Sequence, residues 1–244
     1  MANYQLLNNI DHGSLRVITE RGARYGDDVM FTMTFPLEMR SVQASYPILI
    51  YKDLNDGQLY PVAMFGFEEG ENLFLDGATW NAPYIPIMIR RPPFLIGFQK
   101  NRPGAERQRV VTIDLDHPRV SHSEGEPLFL EHGGNSDFLE GIANMLEAIH
   151  GGNEQNKAFL EMLLKYDLVE SVTLDITLDD DSRNQLQGFY TLDDEKLQKL
   201  DAQALGELNR SGFLLPAYMM VASMSHLRDL VAMRNACLET SRNT

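Results

Sequence analysis

Cysteine is almost absent: Cys237 stands alone in 244 residues. No intrachain disulfide can form, and neither a disulfide scaffold nor a thiolate metal cluster is available. Basic residues are also scarce, with 21 Lys and Arg against 35 Asp and Glu and a formal net charge of −14. So acidic a chain repels phosphate backbones and anionic lipid, which argues against nucleic-acid and membrane-surface roles. Long apolar runs are missing as well. The least polar stretch, residues 211–227, contains Pro216, three serines and His226, and Arg228 and Asp229 follow it. A membrane span needs about 20 predominantly apolar residues, so this stretch reads as a core helix. The first ten residues lack the basic n-region, apolar run and small-x-small site of a signal peptide. Together these absences predict a soluble, cytoplasmic protein.

Motifs that carry catalysis are missing too. There is no Gly-x-Ser-x-Gly elbow, Gly-x-Gly-x-x-Gly loop, P-loop lysine or His-x-x-x-His pair, so no catalytic residue and no cofactor is expected. Ser223 and Ser225 lie in the apolar stretch, where hydroxyls bond back to the preceding turn. Asp179-Asp180-Asp181 lacks the glycine and distant glutamate of a calcium loop and reads as a solvated hairpin tip. Histidines are few and scattered. A metal centre would have to draw on His12, Asp114, His117, His122 or His132.

What is present is an ordinary globular mixture, 43% hydrophobic and 23% charged, with chain enough for one large domain or two small ones. The first half reads as strands and turns. Residues 29–35, 47–51, 59–65, 94–98 and 109–114 have the β-branched and aromatic content of strands. A short helix fits 37–45, and Asn55-Asp56-Gly57 predicts a tight type I′ hairpin turn. The second half changes period. Phe138, Ile142, Met145 and Ile149 mark a helix capped by Ser136 or Asp137 and stopped by Gly151-Gly152. Asn153 then opens a second helix, with Phe159, Met162, Leu163 and Tyr166 inward. A hairpin of 171–177 and 185–190 follows, then helical rhythm at Leu197, Leu200, Leu205 and Leu208, and one last helix from about Phe213 to Leu238. The pattern predicts an α+β fold: a β-rich N-terminal half, as a bent sheet or partial barrel, packed with a helical C-terminal half containing one β-hairpin. A single domain spanning 1–244 is expected, with a subdivision near 120 as the alternative.

The segment 71–94 stands out. It holds the one tryptophan, Trp80, then Tyr84, four prolines and the adjacent Arg90 and Arg91 in an acidic chain. Paired guanidinium donors suit a carboxylate or the acidic strand of a partner. The alternative is an internal ion pair to Glu38, Glu71 or Asp114 that fixes the proline-rich corner. Trp80, Tyr84, Arg90 and Arg91 are the candidate partner-binding residues.

With this segment in view, the chain resembles the SapC family of bacterial proteins. The matching residues run from His12, Leu15 and Arg16 through Tyr46-Pro47-Ile48, Ala63–Gly66, Glu71–Phe74, Trp80, Tyr84-Ile85-Pro86 and Arg90–Phe94. They continue with Ile113-Asp114, Pro127–Phe129, Gly188–Tyr190, Leu197, Leu200, Gly212–Tyr218 and Ser223. Pro92 departs from the pattern, which carries an aromatic there. The resemblance implies a link to surface-layer proteins and their export, or to outer-membrane nutrient-uptake systems, and no established catalytic residues. Some relatives are labelled peptide permeases, which the lack of spans contradicts. The expectation is a non-catalytic accessory protein with a protein partner. The alternative is a cupin-like or iron-dependent modifying enzyme. A homodimer through Leu227, Leu230, Val231 and Arg234 is a further expectation.

Overall fold

The computed structural model describes residues 2–99, 108–180 and 182–242. Its strands are β1 (Tyr4–Leu6), β2 (Arg16–Val17), β3 (Phe31–Met33), β4 (Ile48–Lys52), β5 (Leu59–Met64), β6 (Leu75–Asp76), β7 (Thr79–Trp80), β8 (Phe94–Gln99), β9 (Gln108–Asp114), β10 (Val120–Ser121), β11 (Glu126–Pro127), β12 (Val169–Thr177) and β13 (Arg183–Leu192). The helices are α1 (Met39–Val42), α2 (Ile87–Arg90), α3 (Asp137–Lys165), α4 (Asp194–Gln198), α5 (Ala202–Arg210), α6 (Leu214–Ser223) and α7 (His226–Arg242). The α+β class follows, strand-rich first and helical later, and the sheets do not close into a barrel.

The chain divides into two units, each assembled from separated segments. The first comprises Met1–Asp27, Gly77–Thr79 and Ile87–Gly151; the second comprises Asp28–Asp76, Trp80–Pro86 and Gly152–Thr244. In the first, β1, β9 and β8 form an antiparallel sheet, and β10, β2 and β11 form a second, shorter one. The first half of α3 meets the larger sheet: Phe94 lies 6.4 Å from Phe138, and Arg109 pairs with Glu147 at 2.9 Å. Ser136 caps the helix by accepting from the Leu139 amide, as its position ahead of the apolar stripe predicts.

The second unit is built on a five-stranded sheet in the order β12-β13-β4-β5-β3. Ile48, Leu49 and Ile50 are fully buried, so β4 is a central strand wrapped on both faces. The Asp-Gly turn does join β4 to β5, but as a longer loop than a type I′ turn. Asp53 and Gln58 close four residues, with Gly57 at φ +71°, a region that favours glycine. α6 lies against β4 and β13, and Ser223 fixes the contact by accepting from the Ile48 amide at 2.9 Å.

Three helix boundaries differ from the sequence expectation, each for a packing or capping reason. Gly151-Gly152 does not stop a helix, and Asn153 does not open one, because α3 runs through them. A Cβ on Gly152 would sit 2.6 Å from Cδ1 of Phe35, so this glycine serves close approach rather than termination. The rhythm from Leu197 to Leu208 splits into α4 and α5 because Asp193 and Asp201 each cap a separate helix start, at 2.9 Å and 2.8 Å. The final helix breaks after Ser223. Its hydroxyl donates to the Met220 carbonyl while accepting from the sheet, and Ser225 likewise bonds back to Ala222. At the hairpin tip, Asp179, Asp180 and Ser182 form the turn, and Asp181 lies outside the described residues.

Candidate functional site

Trp80 and Tyr84 belong to the second unit, where Tyr46 brings them together. Tyr46 is fully buried. Its hydroxyl accepts from Trp80 Nε1 at 2.7 Å and donates to the Tyr84 carbonyl at 2.5 Å. Burial raises the Tyr46 phenol well above the usual tyrosine range, so it stays a neutral donor and acceptor. The Tyr84 hydroxyl donates to Glu38 Oε2 at 2.8 Å, and Thr34 donates to Glu38 Oε1 at 3.0 Å. Trp80 stands edge-on to Phe65 at 5.3 Å, an arrangement that ring quadrupoles favour. The indole and phenol are thus engaged inside their own unit, as a brace around Tyr46.

Arg90 and Arg91 belong to the first unit, at the end of α2. Ile87 and Ile89 anchor this short helix in the core, which turns Arg90 outward. The internal pairing weighed from the sequence is not formed. Glu71 takes Arg234 and the Phe67 amide, Glu38 takes the two hydroxyls above, and Asp114 takes the Asn3 amide. Among the described residues neither arginine pairs with a carboxylate. Arg91 is part-buried, and its Nε lies out of water with no hydrogen-bond partner. That burial lowers the guanidinium pKa, opposed by nearby Tyr4.

No residue pattern points to what stands next to Arg90. Asp27 is buried and accepts from Arg119 Nη2 at 2.7 Å and from the Gly22 amide at 2.9 Å. It also draws Arg21 Nη1 to 3.6 Å. Arg119 is 1% exposed; it donates to the carbonyls of Ile18 and Glu20 and lies 4.6 Å from the Tyr25 ring. Arg21 donates to the Ile89 carbonyl at 3.1 Å, which ties this cluster to the residue before Arg90. Burial lowers the Arg21 pKa; Asp27 opposes the shift, while Arg119 and Arg90 add to it. Asp27 and Arg119 are 92 residues apart, and no spacing rule links such a pair.

A family model described as SapC matches residues 7–230. The chain belongs to the SapC family. No curated protein and no solved structure matches it.

The other candidates of this SapC-family chain are dispersed or already engaged. His12 Nδ1 accepts from the Asn8 amide, His117 Nδ1 accepts from the Arg119 amide, and His122 pairs with Ser14. Burial, chiefly, lowers the His117 pKa. His132 is exposed. Among the described residues no three His, Cys, Asp or Glu side chains converge as metal ligands would. Cys237 is exposed on α7. Of the stripe Leu227, Leu230, Val231 and Arg234, Leu230 is buried and Arg234 pairs with Glu71, while Leu227 and Val231 line a groove beside β12. Among the described residues no helix is long and apolar enough to cross a membrane.

Proposed function

We propose that this SapC-family protein is a soluble, cytoplasmic accessory protein without catalytic activity. It serves a bacterial surface-layer or outer-membrane nutrient-uptake system, and it captures a carboxylate-bearing protein partner with Arg90 and Arg91. Trp80 and Tyr84 contribute by holding their segment in shape.

One observation carries this reading. In a chain with 35 acidic residues, neither of two adjacent guanidiniums has a carboxylate among the described residues, and the Nε of one is withdrawn from water without a partner there. Leaving a buried polar group unsatisfied costs about 1–3 kcal/mol, more when the group is charged. A carboxylate brought by a partner would supply the missing acceptor. The family membership supports the biological setting, because the family name derives from a surface-layer locus.

The test is affinity capture from the native host, read by mass spectrometry, with wild-type protein and an R90A/R91A variant. A surface-layer or receptor-system component retained by wild type and lost from the variant, with cooperative melting unchanged, is the expected result. Retention by the variant, or loss of cooperative melting, counts against the reading.

A further inference from the structure

The first unit contains a cavity of about 210 Å³. Arg21, Arg90 and Arg119 line it, together with a mainly apolar surface that includes Phe138, Ile142 and Met145. These last three lie at i, i+4 and i+7 of α3, on one helix face. Their periodicity reads as plain core, yet Phe138 is only half-buried, and the stripe forms a floor rather than a filled interior.

The charges around this cavity do not balance. Among the described residues three guanidiniums meet one carboxylate in direct contact, Asp27, which binds Arg119 and lies near Arg21. The Arg119 Nη atoms are spent on Asp27 and two backbone carbonyls, and Arg21 Nη1 is spent on Ile89. Arg90 makes no hydrogen bond or ion pair among the described residues. A fixed cationic post thus stands behind an unengaged guanidinium at the edge of an apolar floor, within a protein of net charge −14. The volume corresponds to about seven waters and falls below the usual range for drug-sized ligands. Nucleotides and sugar chains are too large. A bare inorganic anion would leave the floor uncovered.

We propose that this cavity binds a small monocarboxylate with an apolar tail, its carboxylate held by Arg90 beside Arg21 and its tail against Phe138, Ile142 and Met145. A planar guanidinium offers a carboxylate two parallel donors, and apolar walls with a few placed polar groups are the general form of a small-molecule site. The proposal shares only Arg90 with the accessory reading, since Arg91 does not line the cavity.

Calorimetric titration of the full chain tests it, with phenylacetate and 4-methylpentanoate as probes, phenylacetamide as the uncharged counterpart and sulfate as the tailless anion. Both acids should bind saturably at one site per chain, and phenylacetamide and sulfate at least about tenfold more weakly, the factor that one charge-assisted contact supplies. Arg90→Gln, on an exposed side chain, should weaken both acids about tenfold, whereas Arg210→Gln, on an exposed arginine of the second unit, should leave them unchanged. Ile142→Trp should fill the cavity and abolish binding; if that variant melts non-cooperatively, Arg90→Gln decides. No saturable binding of either acid, equal binding of phenylacetamide or sulfate, or indifference to Arg90→Gln overturns the proposal. If the acids fail while partner capture still depends on Arg90 and Arg91, only the cavity assignment falls. If the acids bind while capture ignores both arginines, only the accessory reading falls.

Discussion

The two units solve the same problem, a polar group inside an apolar core, with opposite chemistry. In the first, Asp27, Arg119 and Arg21 form an ionic cluster. In the second, Trp80, Tyr46, Tyr84, Thr34 and Glu38 form a run of hydroxyl and indole hydrogen bonds. The hydroxyl run is closed, because each named donor ends on an acceptor within the unit. The ionic cluster is open, because it places more guanidinium than carboxylate near one cavity. An open cluster can recruit a ligand, and a closed one mainly fixes shape. The tryptophan, the more conspicuous residue in the sequence, lies in the closed run, whereas Arg90 borders the open cluster.

Removing the hub of each cluster tests the contrast. Asp27→Ala leaves the buried Arg119 and the half-buried Arg21 without their carboxylate and should destabilise the protein by about 3–5 kcal/mol, the usual cost of breaking a buried ion pair from one side. Equilibrium denaturation in urea measures it. Tyr46→Phe leaves the Trp80 N–H and the Tyr84 carbonyl each without this hydroxyl, at a cost of about 1–3 kcal/mol. It should leave phenylacetate binding in the first unit unchanged. An equal loss from both substitutions would erase the distinction between the clusters. The smallest effect is expected at Gly151, which with Gly152 forms an adjacent pair on α3, one in each unit. Gly151→Ala meets nothing within 4 Å and should stabilise the helix by up to about 1 kcal/mol. Gly152→Ala drives a methyl group into Phe35 and should cost about 1–3 kcal/mol. Thermal melting of the two single variants should therefore shift in opposite directions.

How much of this could be read from the sequence depends on how local the cause is. Strand content at β4, β5, β8 and β9, the Asp-Gly hairpin and the serine cap of α3 follow from neighbouring residues, and all are present. The helix boundaries depart from the local pattern where a distant partner decides them. Phe35 calls for the glycine at 152, and the Ile48 amide engages the serine at the end of α6. Arg90 and Arg91 stand out in the sequence because they contradict the composition around them. Asp27, Arg119 and Arg21 do not, since any one of them looks like an ordinary surface charge until the chain folds back over the intervening residues. The stripe of Phe138, Ile142 and Met145 is plain in the sequence, but periodicity alone cannot tell a filled core from the floor of a cavity.

The interleaving of the two units bears on how the polypeptide is made. Neither is a continuous stretch that could be cut out and expressed alone, because each leaves its own territory and returns. The Ile48 strand emerges early from the ribosome, yet its bond to Ser223 must wait for a residue 175 positions later. Until then β4 is without α6, the helix that lies against it. Such late closure slows folding and exposes nascent chains to association, so shortened versions ending before α6 should accumulate in inclusion bodies.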